Sequence, residues 1–414
     1  MKFIPYILAL LCLFCIGFGC KNKPAAHEVH QQQAAANDSI PPTDTTTPRI
    51  KIVWEKIGKK ISHQEYFAEY GRIRRLHGDT LLLIYHCGGP GNEWDNIVIS
   101  KSNDNGITWQ APVMVAKDDN PHYYGFSTPD LLVLKNGWLL VAYTGRGKPD
   151  DSTHNNIQVR ISKNKGQSWS PPAIVSIGRS WEPGLVQLPD GEIELFFSTE
   201  LSSSHNSWGR PEQRVTLMTS ADNGQSWSKG KEIAFMKGGR DGMPVPLVLK
   251  NNKGIVIAIE SVHSKKSPYM LWSSLKSKWN YKTLPFEANG RRWFGAARRL
   301  WAGAPYIIQL PSGETVVSVQ DTGGRKINRY TNWKKNTMLV MTGNSVAKYF
   351  TNVTYPWPHL PVTEGAYFNS LFLKNDSTIF AVSTRNFADK HSEIWLKEGH
   401  IYKTHSDKLH CASK

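Results

Sequence analysis

Residues 128–144 read TPDLLVLKNGWLLVAYT, and residues 182–198 read EPGLVQLPDGEIELFFS. Each is a short apolar strand, a Leu with a Gly, Asn or Asp turn, and a second strand ending in a polar residue. The same pattern recurs in YGRIRRLHGDTLLLIYH (70–86), MPVPLVLKNNKGIVIAIE (243–260), APYIIQLPSGETVVSVQ (304–320) and YFNSLFLKNDSTIFAVST (367–384). The turn-proximal residues are Leu76, Leu134, Leu188, Leu249, Leu310 and Leu373, spaced by 58, 54, 61, 61 and 63 residues. A period near 60 with several strands per period suits a four-stranded propeller blade, and a sandwich would not need so regular a repeat. The expectation is an all-β fold, a six-bladed β-propeller over residues 49–407.

A second marker follows three of the copies. The strands NIVISKS, NIQVRIS and RVTLMTS run into Ser102-Asn-Asp104-Asn-Gly106-Ile-Thr108-Trp109, Ser162-Lys-Asn164-Lys-Gly166-Gln-Ser168-Trp169 and Ser220-Ala-Asp222-Asn-Gly224-Gln-Ser226-Trp227. Asp or Asn can bond its own backbone, Gly takes a positive φ, and Trp packs back into the sheet. These segments resemble the Asp boxes of the sialidase superfamily, whose members are six-bladed propellers. As fold markers, the box Asp residues are not expected to be catalytic.

Composition bounds the rest. The chain has 414 residues, 50 Lys and Arg against 34 Asp and Glu, and 15 Trp. Five Cys exclude a disulfide scaffold. The N-terminus, MKFIPYILALLCLFCIGFGC, has one Lys, an apolar run and a small residue before Cys20. It reads as a secretory signal over 1–20 that resembles a bacterial lipobox, with Cys20 as the lipidated residue. Residues 21–48, rich in Ala, Gln, Thr and Pro, read as a flexible tether. The expected location is the outer membrane or cell surface, with membrane contact only through the lipid. Nucleic acid is then not the partner of the basic surface, and no block of five basic residues occurs. The chain is read as a monomer that needs no cofactor.

The two strands of each copy are antiparallel, so the start of the first and the end of the second share a rim. First-strand starts are Tyr70, Thr128, Glu182, Met243, Ala304 and Tyr367. Second-strand ends are His86, Thr144, Ser198, Glu260, Gln320 and Thr384, polar in every copy. That uniformity points to function rather than structure. Glu182 and Glu260 are carboxylates on adjacent copies, the minimum equipment for glycoside hydrolysis. Beside them stand Trp181, Arg240 and Asp241; Asp241 either orients Arg240 or bonds a substrate hydroxyl. His86 and Gln320 hold rim positions as substrate contacts. His86 has no suitably spaced partner, so no metal site is expected.

Trp181-Glu182-Pro183, Arg240-Asp241-Gly242-Met243, the strand end at Glu260 and Ala302-Gly303-Ala304-Pro305 resemble glycoside hydrolase family 93. Its members are exo-α-1,5-L-arabinanases. The resemblance implies retaining release of arabinobiose, with Glu182 as nucleophile and Glu260 as acid/base. A true sialidase is the alternative. Tyr70-Gly71-Arg72-Ile73-Arg74 resembles a sialidase start, except that Arg74 replaces Pro. Arg72 would bind a sugar carboxylate, Asp95 would stand for the acid, and Tyr367 for the nucleophile, although Phe368 aligns better in YFNSL. Arg325, Arg329 and Arg385 are available as further arginines. Trp293 and Trp301 are candidate sugar platforms, and Arg291, Arg292, Arg298 and Arg299 a basic loop face. A third reading is a non-catalytic glycan-binding propeller.

Overall fold

The computed structural model describes residues 43–63, 65–91, 95–148, 154–261, 268–279, 292–294, 302–328 and 332–404. All belong to one compact unit, Ile40–Lys414. The signal, Cys20, Trp301, Arg291, Arg298, Arg299 and Arg329 lie outside the described residues, as does the side chain of Trp293. Among the described residues every regular element is a strand, apart from a 3-10 turn at Trp333–Lys335. None is a helix long and apolar enough to cross a membrane.

Each sequence repeat forms the first two strands of an antiparallel run. Phe67–His77 and Thr80–Gly88 begin the first run, followed by Asn96–Ser102 and Val113–Ala116. Four-stranded sheets then start with Tyr123–Val133, Ser180–Gln187, Asp241–Val248 and Gly303–Gln309. The last run comprises Gly365–Asn375, Thr378–Asn386 and Ser392–Lys403, and its outer strand comes from the other end of the chain. Ile50–Trp54 pairs antiparallel with Ser392–Lys403. A parallel bridge between Ser392 and Phe67 joins the last run to the first in a nine-stranded sheet.

The second strands explain the packing. Thr80–Gly88 (TLLLIYHCG) is buried along its whole length, because both its faces are covered. Leu82 and Ile84 pack against Leu131, Val141 and Tyr143 of the next sheet. Leu81 and Leu83, on the other face, pack against Phe380 and Val382 of the last run. Equivalent seams join the second sheet to the third around Leu140, Leu195 and Phe197. The third meets the fourth around Phe196, Leu217 and Ile257, and the fourth meets the fifth around Val256, Val317 and Leu339. Ile50, Ile52, Val340 and Ala381 fill the seam between the fifth sheet and the last run. Each buried Leu, Ile, Val or Phe among them stabilises its seam by about 1.5–3 kcal/mol.

The three boxes behave as turns. Asn105-Gly106, Lys165-Gly166 and Asn223-Gly224 all have both residues at positive φ, from 56° to 88°. The Asp222 carboxylate accepts from the Ser226 amide at 2.9 Å, while the Ser220 hydroxyl accepts from the Gly224 amide at 2.9 Å. Trp109, Trp169 and Trp227 pack not within their own sheet but into the seam with the preceding one. Residues 43–48, read as the end of the tether, are tied down. The Asp44 carboxylate accepts from the Ser345 amide at 3.1 Å, and the Asn344 side-chain amide donates to the Asp44 carbonyl.

Candidate active site

Every first strand carries the same backbone feature in its first half. The pairing register slips at Glu69/Arg72, Ser127/Asp130, Trp181/Gly184, Gly242/Val245, Gly303/Tyr306 and Tyr367/Ser370. Within each bulge one non-glycine residue has positive φ: Tyr70 (65°), Thr128 (50°), Glu182 (46°), Met243 (50°), Ala304 (46°) and Phe368 (48°). Such bulges re-aim a side chain and leave an amide outside its own ladder. Tyr70, Met243, Ala304 and Phe368 converge on one another as an apolar cluster. The first strands therefore meet at a common centre.

The sixth position corrects the sequence alignment. Phe368, not Tyr367, is the equivalent of Glu182. Tyr367 sits one residue earlier on the opposite face, is wholly buried, and donates to Glu69 Oε1 at 2.6 Å. A one-residue slip exchanges the faces of a strand.

The uniformly polar strand ends also receive a structural explanation. The Tyr70 amide donates to Thr384 Oγ1 at 3.0 Å, Thr128 to His86 Nδ1 at 3.3 Å, and Met243 to Ser198 Oγ at 3.1 Å. The Ala304 amide donates to Glu260 Oε2 at 2.8 Å, and Phe368 to Gln320 Oε1 at 3.1 Å. In five positions the strand end of one sheet thus accepts the displaced amide of the next. Thr144 instead exchanges a hydroxyl bond with Thr128 at 3.0 Å. Polarity here satisfies buried amides, so it is not by itself a sign of function. His86 and Gln320, both buried, serve this ring. Because His86 Nδ1 is the acceptor, its proton is on Nε2, which faces Glu69 at 3.7 Å.

Glu182 and Glu260 go beyond what the ring requires. Glu182 is the one acidic residue among the six positive-φ bulge positions, and Glu260 the one acidic strand end among the six, where Ser or Thr suffices in other sheets. Both are half-buried. Glu182 Oε2 accepts from the Ser198 hydroxyl at 3.2 Å. Burial, reinforced by the nearby charge of Glu260, pushes the Glu182 carboxyl up to about 8, against the opposing influence of Arg146, Ser198 and Arg240. Burial also raises Glu260, opposed by the Ala304 amide and by Arg240. The charge of Arg240 therefore acts on both carboxyls.

The other expected residues fall in three places. Near Glu182, Arg240 donates to Glu200 Oε1 at 2.8 Å and to the Pro211 carbonyl. Asp241 follows it, wholly buried, and pairs with Ser261. The Trp181 ring carries the Arg146 guanidinium on its face, with Arg179 5.5 Å from its centroid. Deeper in the centre, Arg72 is buried. It lies 4.0 Å from the Tyr70 centroid and 4.9 Å from that of Tyr306, and donates to the Gly71, Phe368 and Asn369 carbonyls. Beside it Arg74 bridges Asp130 at 2.7 Å and the Tyr306 hydroxyl at 2.6 Å, joining three sheets. Asp95 lies just before Asn96–Ser102, where its charge helps raise Asp118 after burial and the Cys87 thiol after burial and Glu65. Arg325 and Arg385 spend donors on backbone carbonyls and, for Arg385, on Glu364 at 2.8 Å.

Sequence reading missed Arg146, Glu200, Glu69 and Ser198 as partners. Ser198 was already on the aligned rim. Arg146 lies two residues past Thr144, and Glu200 two past Ser198, on extensions of second strands beyond the repeat.

Residues 137–327 match the model of the BNR repeat-like domain. No curated protein matches the chain. A protein of unknown function from Dyadobacter fermentans is similar at TM-score 0.64 and 15% identity, covering 86% of this chain and 100% of the other. The family 93 α-L-arabinofuranosidase of Fusarium graminearum, in complex with arabinobiose, gives 0.58 and 19%, covering 84% and 96%. The Hadza microbial sialidase Hz136 gives 0.56 and 10%, covering 83% and 68%. The fold is sialidase-like. Within that fold the resemblance to family 93 extends over most of the chain.

Proposed function

We propose that the protein is a glycoside hydrolase, a six-bladed propeller whose central mouth uses Glu182 and Glu260 as its catalytic carboxyl pair. The observation that carries the reading is the departure of these two positions from the structural minimum of the ring. Glu182 stands at a bulge and Glu260 at a strand end, on adjacent sheets, and each feels burial and Arg240. A pair held together in this way carries fewer charges at neutral pH than two free carboxylates. One member can then protonate a glycosidic oxygen while the other attacks carbon or activates water.

Resemblance to family 93 assigns Glu182 as nucleophile, Glu260 as acid/base and the chemistry as retaining. The substrate that follows is an arabinan-type polysaccharide, cut from its end. The Glu182 carboxyl, raised to about 8, would also suit the opposite order, with Glu182 as the acid. Azide rescue distinguishes them: a glycosyl azide formed by Glu182→Ala with the α-configuration inverted identifies Glu182 as nucleophile. Export through a leader ending at the lipidated Cys20, with the propeller over 49–407, completes the proposal.

The sialidase reading would draw on Tyr367 and Glu69, which share a 2.6 Å hydrogen bond. Tyr367 is closed off, however, and Nη1 of Arg72 is spent on carbonyls. Chromatography of digests of linear α-1,5-arabinan and of sialyllactose separates the readings. Arabinobiose is the expected product. Free sialic acid would move the chemistry to Tyr367, and binding without any product would make the protein a glycan-binding propeller.

A further inference from the structure

We propose that Arg146 is a positioning residue for the carboxyl pair: its buried charge is what lets Glu182 ionise. This rests on the proposed role of the pair, but concerns a residue that the repeat does not contain. Arg146 is the penultimate residue of the strand Leu139–Gly147, and only 4% of it is exposed. Its guanidinium lies on the Trp181 ring, the residue before Glu182, and its Nη2 donates to the Ser180 carbonyl at 2.9 Å. Among the described residues its Nε and Nη1 are buried without a hydrogen-bond partner.

A guanidinium with most of its donors unused is costly to bury. Neighbouring charge must offset that cost. Glu200 is already held by Arg179 at 2.5 Å and by Arg240 at 2.8 Å. Among the described residues Glu182 has no such ion pair; it accepts a hydrogen bond from the Ser198 hydroxyl. The electrostatics agree: burial pushes Arg146 well down, and the Glu182 and Glu200 charges pull it back up. The charged groups acting on Glu182 are Glu260, Arg146 and Arg240, from three different strands or their ends. Glu260 opposes its ionisation. Arg240 favours it but spends its donors on Glu200 and the Pro211 carbonyl, so Arg146 is the stronger of the two cations acting on Glu182.

The test is a titration of the Glu182 carboxyl in the full chain, by 13C NMR with Glu182→Gln to assign the signal. It needs no substrate, so it stands apart from whether the pair cleaves a sugar. Arg146→Gln should raise the Glu182 midpoint by about one pH unit or more, the size usual for a close opposite charge. Arg179→Gln, at an exposed position, should leave it within about half a unit. An unchanged midpoint in folded Arg146→Gln would overturn the proposal. Should that variant not fold, Arg146→Lys decides. With the charge retained, the midpoint should stay within about half a unit; a rise of about one unit, or loss of the fold, would overturn it. If the pair is catalytic, the limb of the pH–rate curve belonging to Glu182 moves by the same amount. A shifted titration without any hydrolysis would leave the inference standing and remove the proposed function.

Discussion

At the residue scale, the proposed chemistry rests on two carboxyls, and their surroundings set their behaviour. Glu182→Gln and Glu260→Gln should each lower kcat by about 10²–10⁴-fold, the usual range for a lost acid or base. Neither should unfold the protein, since a Gln oxygen can still accept from Ser198 or from the Ala304 amide. Thermal melts of both variants check this. The Glu182 proton also has a stability consequence. With its carboxyl raised to about 8, the folded state binds more protons than the unfolded chain between roughly pH 4.5 and 8. Its contribution is therefore fully present at low pH and lost as pH rises through that window. Glu182→Gln should flatten the fall in melting temperature between pH 5 and 8.

At this scale the two acidic positions were legible in the sequence, because each is the single carboxyl in its own column of the repeat. Arg146 was not, because it lies on a strand extension outside the repeat, and nothing in its spacing marks it. Tyr367 was misplaced by one residue, since bulges hide register in a sequence: Tyr367 and Phe368 are both apolar-compatible, and only the positive φ of Phe368 distinguishes them.

At the element scale, the boxes and bulges divide the labour. The boxes close turns on the side of the sheets away from Glu182 and anchor a Trp in the preceding seam. Asp222→Ala should lower the melting temperature by a few degrees, as loss of a turn bond of about 1 kcal/mol would, and leave kcat unchanged. A loss of activity at equal stability would contradict that division. The polar strand ends show where pattern reading goes astray. Their uniformity was visible, but its cause, an amide displaced by a bulge, becomes visible only when the neighbouring sheet is in place.

At the scale of the molecule, the weak point is where the first and last runs join. Glu69 is buried there, receiving bonds from Tyr367 at 2.6 Å and Ser392 at 3.1 Å, with Lys334 at 3.5 Å and His86 at 3.7 Å. Burial alone would raise this carboxyl, but His86, Lys334 and Tyr367 outweigh it and hold it at about 2. It therefore contributes about 3 kcal/mol at neutral pH, lost as pH falls from about 4.5 towards 2. Acid unfolding followed by circular dichroism should shift in Glu69→Gln, with the greatest loss of stability at neutral pH. The outer strand Ile50–Trp54 closes the same region, and Ile52→Asp should cost about 3–5 kcal/mol by placing an unpaired charge in the seam. The repeat announced six equal units; the sharing of the last between both ends of the chain was not legible, because Ile50–Trp54 precedes the first copy of the pattern.

The measurement that bears most directly on the whole account is hydrolysis of an end-labelled α-1,5-arabino-oligosaccharide by the wild type, Glu182→Gln and Glu260→Gln in parallel. The account expects arabinobiose from the wild type and a loss of about 10²-fold or more in both variants, each melting within a few degrees of the wild type. Wild-type turnover by either folded variant would contradict it.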